Sequence, residues 1–344
     1  MRYLKFFTVM IIFSVLASIL FACGYPLKPD NSNLDNEKFQ EYLQLPDLIN
    51  AGTDETTANE SGWYETLIEN FDGDSFDITK WTYSPQAYRT KTNSFVHPEY
   101  TSYWSGDMVS VKNGNLEITS EQKRNYTSSD GIYKNTSGRF TGGIETRLGI
   151  RNSDDVVVTQ ETYFKQAFGY YETRVRFPKE EGLWTSFWLQ TDSQGQIGND
   201  GEDGTEIDVY ESCFIKNPSY MGHALTWDGY AGYSNGAGYK GNFESTISDF
   251  YNDFHTFALL WTPVCYVFFI DGNPTWVTDE GGVSKVEAYL RLTVEIDEGD
   301  TWGPHAQIIG PYRSKGSIFY VDYVKVYQNT GFIEHIKKAS DFRI

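Results

Sequence analysis

Three carboxylates fall within six residues in the segment Thr205-Glu206-Ile207-Asp208-Val209-Tyr210-Glu211-Ser212. Glu206 and Asp208 are two apart, so on an extended strand both project from the same face. Glu211 is five residues from Glu206, and strict alternation turns it to the opposite face. The three acids share one face only if a β-bulge absorbs a residue, and bulges of that kind often lie beside active sites. A solvent-facing acidic edge strand is the plain alternative. Ile207, Val209 and Tyr210 argue against it, because these strand formers want a core behind them. Paired carboxyl groups on a rigid strand suit cleavage of a glycosidic bond, one acting as nucleophile and the other protonating the leaving oxygen. With Glu206 and Glu211 about 5–5.5 Å apart the reaction runs by double displacement and retains the anomeric configuration. Asp208 between them then orients Glu206, and its negative charge is expected to raise the pKa of Glu211.

The elements that must hold this segment are strands. From Trp63 onward, short aromatic and β-branched runs recur between Gly, Asn, Asp and Pro signals, among them GYYETRVRF, TSFWLQT, FHTFALLWT, YVFFIDG and SIFYVDYVKVY. Asn113-Gly114 and Asp271-Gly272 read as tight hairpin turns. No stretch between 63 and 328 sustains a helical period, so residues 63–328 are read as one all-β domain, a two-sheet sandwich. The remainder is read as a leader (1–22), an acidic tether (23–62) and a C-terminal tail (329–344) containing a short helix.

Glu-Ile-Asp-Val-Tyr-Glu resembles the signature of glycoside hydrolase family 16 in its bulged Glu-x-Asp-x-x-Glu branch, which includes laminarinases, agarases and endo-β-galactosidases. The surrounding runs GYYETRVRFPKEEGLWTSFWLQ, FHTFALLWTPVCYVFFIDG and VDYVKVY are similar to strands that flank the motif in that family. The resemblance implies a curved β-jelly roll with a concave substrate cleft. It makes Glu206 the nucleophile, Glu211 the acid/base and Asp208 the assisting residue. Trp184 and Trp188, four apart and so on one strand face, become platforms for sugar rings, with core packing as the other reading. His223 becomes an assistant to the acid/base, and Trp227 a further platform. Glu69, Gly114 and Asp322 match positions that hold a structural Ca²⁺ in many relatives, and hard oxygen ligands suit that ion. No cofactor is implied for catalysis. Glu295, in LRLTVEIDEGDTW, stands where glucan-cleaving relatives have a small or apolar residue, and an acid at a similar place occurs in galactan-cleaving branches. A β-1,3-glucan is the first substrate expected and a β-galactan the second. A noncatalytic lectin on the same scaffold has no reason to keep Glu206, Asp208 and Glu211 together.

Charge narrows the partners. The 344 residues carry 28 Lys+Arg against 47 Asp+Glu, a formal charge of −19. No basic block is long enough to neutralise a polyphosphate, which excludes nucleic acid and favours a neutral polysaccharide. Aromatic residues make up 17% of the chain, which excludes global disorder. Arg2 and Lys5 precede an apolar run from Phe6 to Ala22, the pattern of an export signal. Leu20-Phe21-Ala22-Cys23 resembles a bacterial lipobox, so Cys23 is expected to carry a lipid that anchors a monomeric enzyme at the outer side of a membrane. Cys213 and Cys265 are too few for a disulfide framework and read as buried thiols. Asn59, Asn125 and Asn135 begin glycosylation sequons that read as chance matches on such a protein.

Overall fold

The computed structural model describes residues 33–84, 102–151, 157–178, 180, 183–194, 200–213, 221–228, 238–242, 250–296 and 316–342. The leader and Cys23 lie outside these residues.

Two sheets face one another. The larger runs, in spatial order, through Asn273–Thr278, Tyr266–Ile270, His255–Trp261, Gly169–Arg176, Ser317–Asn329, Asn115–Tyr126, Thr136–Thr141 and Ser102–Trp104. Trp63–Glu69 and Val109–Lys112 join it at Ser317–Asn329 and Asn115–Tyr126. The smaller runs through Gly238–Asn242, Gly222–Trp227, Thr205–Cys213, Leu183–Thr191, Ala288–Ile296, Gly143–Glu145 and Thr82–Tyr83. Pairing within the smaller sheet is antiparallel throughout. This is the all-β two-sheet sandwich that strand spacing and alternation predict, and the jelly roll that the family resemblance implies. Both predicted hairpins form: Asn113 and Gly114 take φ of 53° and 73°, Asp271 and Gly272 take 48° and 77°, as two-residue turns between twisted strands require.

The sandwich core is aromatic. Phe187, Leu189, Ile207 and Tyr210 from the smaller sheet meet Tyr171, Phe257, Leu259 and Val321 from the larger, all fully buried. The Tyr210 and Phe257 ring centroids lie 4.8 Å apart across the interface, a tilted packing that adds to simple area burial. The smaller sheet therefore has its apolar side committed, and its other side is the polar floor of a cleft.

The predicted tether differs from what forms. From Asn33 on, the chain lies against the outer face of the larger sheet. Phe39 buries beside Val267, Phe269, Tyr170 and Leu260, with Leu34, Tyr42, Leu43 and Leu48 around it. Asn33 Nδ2 donates to the Val277 carbonyl at 3.2 Å, and Gly52 bridges to Tyr64. The cause lies in the run Tyr266–Ile270, buried at every position. A strand apolar on both faces needs cover on both, and the 33–52 segment supplies the second layer. The tail forms two short 3-10 helices, Thr330–His335 and Ala339–Phe342, and Phe332 packs edge-on against Trp63 at 5.8 Å. Cys265 is a free buried thiol in the outer cluster, so it forms no disulfide with Cys213.

Candidate active site

The bulge required by the acid spacing is present. Phe187 pairs with Tyr210 but Trp188 pairs with Asp208, so Val209 is the extra residue. On the other side, Asp208 faces Ala224 and Glu211 faces Gly222, three residues against two. The insertion returns Glu211 to the face that carries Glu206 and Asp208, while Ile207, Val209 and Tyr210 all bury behind it. On the Gly222–Trp227 strand the residue opposite Glu211 is a glycine, Gly222.

The neighbouring strand supplies the rest of the floor by alternation. Trp184, Ser186, Trp188 and Gln190 share the acid face of Leu183–Thr191. Trp184 Nε1 donates to Glu211 Oε1 at 2.9 Å, and Gln190 Nε2 donates to Glu206 Oε2 at 3.2 Å. Each of the two outer acids is thus held by one donor from the same strand. Trp188 Nε1 donates to Thr293 Oγ1 at 3.0 Å, and the Arg291 guanidinium lies 4.1 Å from the Trp188 ring centre. Arg291 is itself buried against Glu145, with Nε 2.9 Å from Oε2. One register row therefore crosses the floor as Glu145, Arg291, Trp188 and Asp208. Glu295 pairs with Trp184 two rows along the same face, beyond the Ser186–Thr293 pair, on the cleft side where the sequence places it.

Burial sets the protonation of the acids. Glu211 is pushed up to about 8, first by desolvation and then by the negative charges of Glu206 and Glu295, against the Trp184 hydrogen bond that favours its ionised form. Asp208 is raised well above the usual carboxylate range, again by burial first and by Glu211 and Glu206 second. The expectation that the charge of Asp208 lifts Glu211 is thereby corrected: burial and the charges of Glu206 and Glu295 do so, and Asp208 is itself raised, by desolvation before anything else. Glu145 is pushed up to about 7 by burial, although Arg291 and Arg147 pull the other way.

Two predicted binding residues do not face the cleft. Trp227 pairs with Thr205 while Thr226 pairs with Glu206, so alternation places Trp227 on the side away from the acids. It packs against the core, with Gly281 so close that a Cβ there would sit 2.5 Å from the indole. His223 lies between Gly222 and Ala224, which face Glu211 and Asp208, and therefore points inward. It is buried, stacked on Phe268 at 4.7 Å, and cannot touch substrate. The parity of 223 and 227 relative to 224 becomes visible only once the register with the acid strand is known.

The three positions matched to calcium ligands are near one another by register, since Glu69 pairs with Val324 and Leu116 with Val321. Their carboxylates are otherwise engaged. Asp322 pairs with Arg174 at 2.5 Å, and Glu69 accepts from the Phe71 and Asp77 backbone N–H groups, each at 3.1 Å. Gly114 forms the tip of its hairpin. With Asp322 paired to the Arg174 guanidinium and Glu69 to backbone N–H groups, these residues do not fit a calcium site as arranged. Among the described residues no group of three or more His, Cys, Asp or Glu side chains could hold a metal ion.

Gln190, Arg291, Glu145 and Thr293 were not singled out from the sequence. The first had a signal, since it continues the Trp184, Trp188 alternation by one step; Arg291, Thr293 and Glu295 likewise alternate along LRLTVEI. Glu145 had none, because its partner is remote in the chain.

A jelly-roll sandwich whose bulged strand presents Glu206, Asp208 and Glu211 on one face, beside Trp184 and Trp188, defines the class. Residues 96–303 match the family described as glycosyl hydrolases family 16, and the chain belongs to that family. It is 26% identical over 257 residues to the endo-1,3-1,4-beta-glycanase EglC of Rhizobium meliloti, an alignment covering 72% of this chain and 46% of that protein. It is 25% identical over 224 residues to beta-porphyranase C of Zobellia galactanivorans, covering 57% of this chain and 58% of the relative. The chain thus spans about half the length of these relatives. The laminarinase catalytic domain from Thermotoga maritima shares the fold, with a TM-score of 0.56 at 20% identity, covering 78% of this chain and 99% of that domain.

Proposed function

We propose that this protein is a retaining endo-β-glycanase in which Glu206 is the nucleophile, Glu211 the general acid/base and Asp208 the assisting residue on the same face between them. The observation that carries this reading is the Val209 bulge, which puts Glu206 and Glu211 on one face of one strand. Glu211, raised to about 8, holds the proton that the leaving oxygen needs, and Trp184 fixes its direction. Attack by Glu206 breaks the glycosidic bond and forms a glycosyl-enzyme while Glu211 gives up its proton. Glu211, now ionised, takes a proton from water, whose oxygen displaces Glu206 and completes the retaining cycle. Two carboxyl groups and water balance the reaction, and no step calls for a cofactor.

The favoured substrate is a neutral β-1,3-glucan, supported by the relatedness to endo-1,3-1,4-beta-glycanases. Glu295 beside Trp184 and the likeness to a beta-porphyranase favour a β-galactan as the second reading. The purified protein offered laminarin, mixed-linkage glucan, agarose, porphyran and keratan-type chains should release oligosaccharides from laminarin fastest. Release from a galactan alone moves the assignment to the second reading, and release from none of them sinks the glycanase reading.

We also place the enzyme at the outer side of a bacterial membrane through a lipid on Cys23, on the strength of the basic start, the apolar run and Leu-Phe-Ala-Cys. Cys23→Ser should abolish labelling by radioactive palmitate and partition into detergent. Undiminished labelling in that variant rules the anchor out.

A further inference from the structure

The bulge that brings Glu211 onto the catalytic face leaves Val209 without a partner on either neighbouring strand. A backbone carbonyl removed from its ladder inside a core must find another donor. The donor is His223, whose Nδ1 lies 2.6 Å from the Val209 oxygen. Its Nε2 lies 2.9 Å from Thr275 Oγ1, on a strand of the other sheet, and the ring stacks on Phe268. A carbonyl only accepts, so the Nδ1 contact requires a proton there. In a neutral imidazole that leaves Nε2 an acceptor facing the Thr275 hydroxyl, whose single proton is shared between Nε2 and the Phe268 carbonyl 3.1 Å from Oγ1.

We infer that His223 is a positioning residue for catalysis: its Nδ1–H clamps the Val209 carbonyl, holds the bulge open and so keeps Glu211 on the same face as Glu206. Its location fits this task. The backbone of His223 sits between Gly222 and Ala224, the residues that pair with Glu211 and Asp208 on either side of the bulge. The clamp therefore bridges the two ladder contacts between which the extra residue is stored. The Val209 carbonyl sets the tautomer, Thr275 holds the far nitrogen from the opposing sheet, and Phe268 stacks on the ring. Without the clamp the strand can slip toward regular alternation, which turns Glu211 away from the cleft, because a one-residue shift exchanges faces. The inference rests on the assignment of Glu206 and Glu211 proposed above, and it makes sense of a histidine that is too deeply buried to meet substrate.

Two measurements on the full chain test it. The first uses His223→Leu, which fills the space without a donor, and His223→Asn, whose amide N–H can stand near the former Nδ1. On the polysaccharide that wild type cleaves fastest, His223→Leu should lower kcat about 10- to 100-fold with KM within about twofold, as small misplacements of a catalytic group do. His223→Asn should recover most of the lost kcat. An Asn variant no better than Leu, with both folded by near-UV circular dichroism, overturns the clamp. Glu211→Gln is measured alongside: if it cleaves as fast as wild type the catalytic assignment itself has failed, whereas an inactive Glu211→Gln with a fully active His223→Leu rejects only the clamp. The second measurement needs no folded variant. Nitrogen-15 spectra of histidine-labelled wild type should show one of the five histidines as the neutral Nδ1–H tautomer across the pH range of activity. If instead every buried neutral imidazole carries its proton on Nε2, the inference is wrong.

Discussion

Glu206→Ala and Glu211→Ala should each lower hydrolysis by about 10³-fold or more, and azide should rescue them to products of opposite anomeric configuration. Glu206→Ala removes the group that forms the glycosyl-enzyme but leaves the proton donor held by Trp184. Azide entering the vacated space then attacks the anomeric carbon directly and gives a glycosyl azide of inverted configuration. Glu211→Ala keeps the nucleophile, still held by Gln190, and loses the donor. Substrates with good leaving groups still form the covalent intermediate, and azide resolves it with retention. Swapped anomers reverse the two roles. Undiminished hydrolysis by Glu206→Ala rejects the catalytic reading outright.

The pH dependence should carry the mark of a buried acid. Glu211, raised to about 8, must be protonated for the first step, so kcat/KM should stay level through neutrality. Above about pH 8 it should fall about tenfold per unit, reaching a loss of about 100-fold near pH 10. The same shift predicts a stability trend of definite sign. The folded-state pKa of Glu211 lies above its ordinary 4.5, so its contribution to stability is fully present below about 4.5 and is lost as pH rises through about 8. Asp208, also raised, contributes in the same direction. Glu211→Gln should therefore melt higher than wild type at pH 8 to 9 and no higher at pH 4, while its activity is lost at both. A basic limb that begins near pH 5, or a Gln variant less stable at pH 9, would show that Glu211 is solvated and ordinary.

A good deal of this architecture was legible in the chain. Alternating aromatic and β-branched runs require two sheets, Asn113-Gly114 and Asp271-Gly272 mark their hairpins, and five-residue spacing between Glu206 and Glu211 demands a bulge for the acids to act together. The covering layer of 33–52 was also written there, in the two-sided apolar run YVFFI, but the polar composition before Trp63 masked it. Short apolar clusters such as Phe39 and Leu43 carry weight only when a waiting surface is known.

The sequence by itself determined the local quantities: which residues form strands, which faces they alternate between, and that three acids need one extra residue among them. Tertiary structure alone decided which neighbour each face meets. Cross-strand register turned His223 and Trp227 inward and brought Arg291 from a remote segment between Trp188 and Glu145. Depth of burial, a property of the assembled sandwich, raises the Asp208 carboxyl well above the usual carboxylate range. The reason is one of range. Propensity and alternation act over a few residues of chain, whereas pairing register and desolvation depend on contacts between segments far apart in sequence, and these exist only after the sheets have closed on each other.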